Sequence, residues 1–516
     1  MATSLQMKRN LVWLVCVFLV LLAPSAAADA AARARIDPRV LTDTANGATT
    51  PFLVVLKSQT NVRALTARVS DQPARGRIVF DGLRQDANAS QPAVRAQLDA
   101  LGVQYRAFYI VNAFAVEGNR AVVDALAARA DVLAIESNRA FRVELETSDA
   151  TRRAPAAPNA IEWGISKVNA PAVWSLGYTG QGMIYANADT GVQWDHPALK
   201  PQYAGWNGVS ADHNFAWWDA IHADISGNGT NPCGFNLSVP CDDYGHGTHT
   251  TGTGIGDDGA GNQIGMAPGA QWIACRNMEQ GWGQPSTYIE CMQFFLAPWD
   301  STGNNPDPNK RPDAVGNSYG CPTVEGCSVH SLQLAMENLR AAGVFMSVSA
   351  GNSGSGCSSI YDPPALEDSA ITIGATDLSD TIAGFSSRGP VTIDGSNRHK
   401  PDLVAPGVSI RSSTPGNGYG SSSGTSMASP HVAGAVVLLW SAFPQMRHNV
   451  DFTESLLMQS AAPHTTTQTC GSDVAGQFPN NVYGAGRIDV LAAYNLFTRI
   501  GLPPYVSEYP IILRAP

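Results

Sequence analysis

The sequence predicts an α/β protein: a doubly wound parallel sheet in a large domain that follows a small α+β domain. Three observations predict it. From residue 161 onward short apolar runs alternate with helical stretches, the pattern of parallel strands joined by right-handed crossovers. Residues 52–143 read β-α-β-α-β, the order of an open-faced α+β sandwich. Between these regions, residues 145–160 (LETSDATRRAPAAPNA) have no periodicity and form a linker by composition.

Taken in order, Lys8 and Arg9 precede an apolar run over 11–22. Ala26-Ala27-Ala28 or Ala28-Asp29-Ala30 then offers a small-residue cleavage site. The run is short for a bilayer span, so residues 1–30 read as a secretory signal. The small domain, 31–144, has strands over 52–57, 103–116 and 132–143, with helices running to 101 and over 121–129. It carries 15 Lys/Arg against 11 Asp/Glu, a net +4, while the whole chain is at −10. Opposite charge favours docking of the two parts. In the large domain, 161–498, strands are expected over 183–188, 271–278, 313–318, 344–350 and 370–376. Helices are expected over 286–295, 328–342, 426–440 and 487–496, and residues 499–516 are a tail without an assigned role.

Composition narrows the function. With 44% hydrophobic and 15% charged residues a large core forms and wholesale disorder is excluded. No Lys/Arg cluster with interleaved aromatics appears, so nucleic acid is not an expected partner. No later segment approaches twenty continuous apolar residues. The product after signal removal is therefore expected to be secreted, extracellular, free of membrane and monomeric. Cys16 leaves with the signal, and the eight other cysteines follow residue 230, as suits disulfides in an exported chain. Cys233–Cys241 and Cys321–Cys327 are short-loop pairs; the remaining connectivity is open. No CxxC pair points to zinc.

The chemistry sits at strand ends and helix starts, where a parallel sheet places its ligands. Asp189 follows the strand 183–188. His246 opens a Gly/Thr-rich helix in Gly245-His246-Gly247-Thr248-His249. Asn352 follows the strand 344–350, and Ser426 stands in the first turn of the helix after Gly424-Thr425. Singly, each has a plainer reading as a turn former or helix cap. Together they supply what acyl transfer requires: an orienting acid, a base, an oxyanion donor and a nucleophile.

The blocks Asp189-Thr190-Gly191-Val192, HGTHTTG, SAGNSG and GTSMASPHVAG resemble the signature blocks of the subtilisin-like serine proteases, the peptidase S8 family. Glu162-Trp163, Asn317-Ser318-Tyr319-Gly320 and CSSIYDPPA over 357–365 look most like the bacillopeptidase F type. The N-terminal α+β region resembles the family's inhibitory propeptide, of the inhibitor I9 kind. The resemblance implies a secreted endopeptidase made as a self-processed zymogen, with protein or peptide substrates and its own propeptide as inhibitor and chaperone. It assigns Ser426 as nucleophile, His246 as base, Asp189 as its orienter, and Asn352 with the Ser426 N–H as the oxyanion hole. It also implies substrate binding along Ser318-Tyr319-Gly320, with Ala350-Gly351 on the far wall of the pocket. His249, Ser429 and His431 become packing residues. Activity is expected to fall as pH drops through the ordinary imidazole range, ~6.5.

Counting back from Ile373-Gly374-Ala375 matches Pro364 to the family's proline near the pocket floor. Asp362 then falls where many relatives have Gly or Ser. A carboxylate there favours Lys or Arg before the cut; the alternative is that Asp362 caps the turn before Pro363-Pro364. Arg152-Arg153 is a fitting self-cleavage site, although Arg142 and Glu144 lie closer to where propeptides end. No cofactor is required for the chemistry. His196-Pro197 is followed by Ala198 where relatives with a tight calcium site have Asp. The oxygen-rich loop 257–262 still allows a structural calcium, which is not predicted. Three other classes fit worse. A pseudoprotease need not keep all four site residues. An α/β-hydrolase esterase orders its triad Ser, acid, His within a G-x-S-x-G elbow, and a sedolisin-type acid protease lacks the His246 block.

Overall fold

The computed structural model describes residues 33–69, 71–143, 145, 160–322, 324–327 and 332–502. The signal segment 1–30, Glu144, most of the linker and the tail beyond 502 lie outside the described residues. The chain divides into two compact units: Met1–Ser58 with Pro92–Ala107 and Ala113–Ser137, and Gln59–Gln91 with Phe108–Asn112 and Asn138–Pro516.

The second unit is built on seven parallel strands: β1 (Ile184–Asp189), β2 (Trp217–Asp219), β3 (Gln271–Arg276), β4 (Ala314–Asn317), β5 (Phe345–Ser349), β6 (Ile371–Thr376) and β7 (Leu403–Pro406). Their order in the sheet is β7-β6-β5-β4-β1-β3-β2. Ile273, Val315, Val348, Ile371 and Ile373 are buried, as suits a sheet covered on both faces. The five expected strands are all present; the first is shifted by one residue to end on Asp189, and the others are shortened by one or two residues at their ends. The two unforeseen ones, β2 and β7, are the sheet's edges. β2 has only three residues, too few for a periodicity, and β7 ends in a proline, which an edge tolerates.

The helices that carry or flank the site are α1 (His246–Ile255), α2 (Pro285–Leu296), α3 (Leu332–Ala341) and α4 (Thr425–Ala442). α1 packs on α4 and α2 on α3, each pair lying against the sheet. The last helix starts at Val490, not at 487, because Asp489 accepts from Ala492 N at 2.9 Å and caps it there. α4 is buried from Thr425 through Trp440, so it is a core helix without a polar face. Its start does not depend on glycine freedom: Gly424 has φ 173°, an extended conformation open to any residue. Four disulfides are formed, the two expected ones and Cys275–Cys291 and Cys357–Cys470. Cys275–Cys291 ties α2 to β3.

The second unit also takes in residues that precede the linker. Helix Gln72–Ser90 carries Gly76, where a Cβ would stand 2.4 Å from the Arg311 guanidinium carbon, and Arg311 donates to Pro73 O at 3.0 Å. In the first unit, Thr50–Leu56 lies between Ala113–Gly118 and Val132–Ser137 in an antiparallel sheet, with Tyr105–Phe108 at one edge. Phe52, Val54 and Leu56 alternate into a core with Val94, Leu98, Phe114 and Leu126. The expected strand 132–143 is broken after Ser137, and its last part, Phe141–Arg142, pairs elsewhere.

Candidate active site

Three adjacent strands deliver the site. Asp189 is the last residue of β1, Ser318 follows β4, and Asn352 follows β5 by three residues. Asn317 is in register with Ala188, so Ser318 lies beside Asp189, one strand spacing of ~4.8 Å away. His246 is the first residue of α1 and Ser426 the second of α4.

The Asp189–His246 pair is buried, and both carboxylate oxygens are bonded. His246 Nδ1 lies 2.8 and 2.9 Å from the two carboxylate oxygens. Thr190 N donates to Oδ1 at 2.7 Å and Thr250 Oγ1 to Oδ2 at 3.1 Å. Two glycines let α1 approach so closely. Gly191 has φ +104°, and a Cβ on it would meet Cys241 O at 1.8 Å; a Cβ on Gly247 would lie 2.0 Å from Gly191 O.

Ser426 is tied to β4 in both directions. Pro430, inside α4, has no N–H for the Ser426 carbonyl, which instead accepts from Ser318 Oγ at 3.0 Å. Ser426 Oγ in turn donates to Ser318 O at 3.2 Å; among the described residues it makes no hydrogen bond to His246. Asn352 Oδ1 accepts from Thr425 N and Oγ1, both at 3.0 Å, so its Nδ2 donor is the group it presents to anything else.

The residues expected to bind substrate flank the start of α4 and Asp362. Tyr319 is buried and stacked on Tyr288 at 4.4 Å, and Gly351 N donates to Thr425 Oγ1 at 3.2 Å. A Cβ on Gly320 would touch Asp362 Cβ at 3.4 Å, which puts that acid beside the expected binding segment. Asp362 Oδ1 is enclosed and has no hydrogen-bond partner among the described residues, so it caps no turn. Burial pushes the Asp362 pKa up to about 6.

The chain's own residues 138–143 and Leu145 contact segments that flank the site. Asn138 Oδ1 accepts from Ser286 N at 2.8 Å, at the start of α2. Phe141–Arg142 pairs antiparallel with Trp282–Gly283, and Val143 N donates to Gly281 O at 2.9 Å. Tyr244, two residues before His246, donates to Leu145 O at 3.2 Å. On α2 and α3, Gln293 accepts from Tyr109 N and Ile110 N, and Asn338 donates to Ile110 O.

A family model described as the subtilase family, Peptidase_S8, matches residues 180–486. The chain belongs to the subtilase family. Bacillopeptidase F of Bacillus subtilis (strain 168) is 34% identical over 455 residues, 84% of this chain and 30% of that one. Subtilisin E of the same strain is 32% identical over 307 residues, 58% of this chain and 68% of that one. An alkaline protease of Shouchella clausii is 30% identical over 364 residues, 70% of this chain and 76% of that one. This subtilase thus spans about 30% of the length of Bacillopeptidase F. Subtilases are serine-type endopeptidases whose catalysis needs no cofactor.

In this subtilase the other histidines of the motifs are packed away. His249 Nε2 lies 3.0 Å from Ile410 O and His431 Nδ1 2.8 Å from Met427 O; burial pushes both pKa values down to about 4. In the loop after α1, Asp258 accepts from Ala260 N, Asn262 N, Asn262 Nδ2 and Tyr419 Oη, so donors engage both its oxygens. Sequence reasoning missed Trp282–Gly283, Thr250 and Tyr244. The glycines flanking Trp282 before a proline-led helix are a signal for the first, since a strand meant to pair with another chain needs a bare edge. Thr250 and Tyr244 carry no such signal. Among the described residues no helix is long and apolar enough to cross a membrane.

Proposed function

We propose that this chain is a secreted serine endopeptidase, made as a zymogen, that prefers Lys or Arg before the scissile bond. The observation that carries the chemistry is the buried Asp189–His246 pair standing one strand from the segment that holds Ser426. In the reaction, rotation about the Ser426 Cα–Cβ bond turns Oγ from Ser318 O toward His246. His246 Nε2 takes the Oγ proton as Oγ bonds to the substrate carbonyl carbon. Asn352 Nδ2 and the Ser426 N–H stabilise the oxyanion. The C–N bond then breaks, the Nε2 proton goes to the leaving amine, and water repeats the cycle to free the acyl group. Asp189 keeps the imidazole in the tautomer that leaves Nε2 open to accept.

The zymogen reading is supported by the antiparallel pairing of Phe141–Arg142 with Trp282–Gly283, an added strand of the kind by which peptides are recognised. Leu145 O accepts from Tyr244, two residues before His246, so the first cut is expected beside Leu145, ahead of Arg152-Arg153. Glu144, which precedes Leu145 in sequence, is not basic, but a segment attached to the enzyme does not rely on the pocket for its affinity. The unpartnered Asp362 Oδ1 beside Gly320 supports the basic preference. Residues 1–30 support export, although they lie outside the described residues. Ser426→Ala tests the whole reading. The variant should accumulate as an uncut, folded precursor without peptidase activity, a loss of about 10⁴-fold or more. Precursor cut at 142–160 in a purified Ser426→Ala sample would assign maturation to another enzyme.

A further inference from the structure

A second buried carboxyl near Asp362 has no part in the triad chemistry. Glu325 has no exposed surface and lies in the small loop closed by Cys321–Cys327. Tyr288 Oη donates to its Oε1 at 2.9 Å, and the Tyr288 ring stacks on Tyr319 of the pocket wall. Cys321 N donates to Pro363 O at 2.6 Å and so ties this loop to the turn that carries Asp362. Glu325 Oε2 and Asp362 Oδ1 are both enclosed, and neither has a hydrogen-bond partner among the described residues. Burial raises the Glu325 pKa well above the carboxylate range, and the nearby Asp362 charge raises it further. The other titratable groups against it, Tyr288 and Tyr319, are themselves raised by burial. Among the described residues no Lys, Arg or His pairs with either acid.

Two enclosed acceptors without donors are costly unless a ligand supplies the donors. A lysine ammonium is a point charge and meets one carboxylate. An arginine guanidinium is a planar fork of five N–H donors and can meet two. We propose that Glu325 is a second specificity-determining acid, so that the pocket takes arginine in preference to lysine before the scissile bond. This deepens the basic-preference reading and rests on it. Without a ligand Glu325 keeps its proton. When a guanidinium enters, the carboxyl ionises, its proton leaves to solvent, and Oε2 accepts from the fork.

The test is kcat/KM on three peptides that differ only in having Arg, Lys or Phe before the cut, with mature wild type, Glu325→Gln and Asp362→Asn. The wild type should favour Arg over Lys by roughly tenfold, and Glu325→Gln should remove that ratio. Asp362→Asn should lower Arg and Lys together relative to Phe. An unchanged Arg-to-Lys ratio in Glu325→Gln, or an equal fall on all three peptides, overturns the role of Glu325 and leaves the basic preference standing. Equal wild-type cutting after Phe overturns both. Should Glu325→Gln fail to fold, benzamidine binding to the wild type decides. Calorimetry at pH 7 in two buffers of different ionisation enthalpy should show net proton release, and its absence overturns the proposal.

Discussion

Asp189 and Asp362 are two acids of the candidate site, and the structure treats them in opposite ways. Asp189 is buried, and His246, Thr190 and Thr250 engage both its oxygens, so its orientation is fixed before any substrate arrives. Asp362 is half-buried, yet its enclosed oxygen has no donor, and burial alone sets its pKa. The difference teaches how to read a buried acid. Here the acid with donors on both oxygens holds a neighbour in place, whereas the acid with an oxygen lacking a donor keeps an acceptor for a ligand.

Replacing each acid should break the comparison in a different observable. Asp189→Asn should lower kcat by about 10⁴-fold, the scale known for this substitution in a serine protease triad, by favouring the wrong imidazole tautomer. A loss confined to KM would show that Asp189 only holds the fold. Asn352→Ala comes next, with kcat expected to drop by about 10²–10³-fold and KM nearly constant, the size documented for the corresponding subtilisin amide. If KM carries the loss, Asn352 serves the start of α4 through Thr425 and not the oxyanion. For Asp362→Asn, the Lys-to-Phe ratio of kcat/KM should fall by about tenfold. In the wild type that ratio should rise as pH climbs through about 6, because the burial-raised carboxyl is neutral below that value and charged above it. Taking the ratio cancels the titration of the triad, so a flat ratio between pH 5 and 8 rules out the Asp362 charge. The smallest effect is Thr250→Val, a fall of roughly three- to tenfold in kcat/KM from one lost donor. No further loss in an Asp189→Asn background would show that it acts through Asp189.

Much of the fold was legible because the five core strands are short, mostly apolar segments that alternate with helical stretches. The edges were not: Trp217–Asp219 has three residues and Leu403–Pro406 four, the last a proline. The first-unit strand expected over 132–143 also failed to run through, since Asn138 turns to the head of α2. Two disulfides followed from short loops. Cys357–Cys470 did not, because its sequence separation of 113 leaves proximity to the fold. Near the pocket, Asp362 could be placed by counting along a motif. Glu325 could not, as only Tyr288 and the loop's closure reveal where it lies.

By itself the sequence determined the residue types and their order: an acid, an imidazole, an amide and a hydroxyl, each at the junction of a strand or helix with a loop. These are local properties, written in short motifs whose glycines and prolines constrain the backbone where they stand. Only the tertiary structure decided which acids have donors and which wait for them. It also decided that Ser426 is turned toward Ser318 in the uncut chain, and that the chain's own strand lies along Trp282–Gly283. The physical reason is that hydrogen-bond satisfaction depends on neighbours brought from distant positions, and no stretch of sequence carries its partners with it.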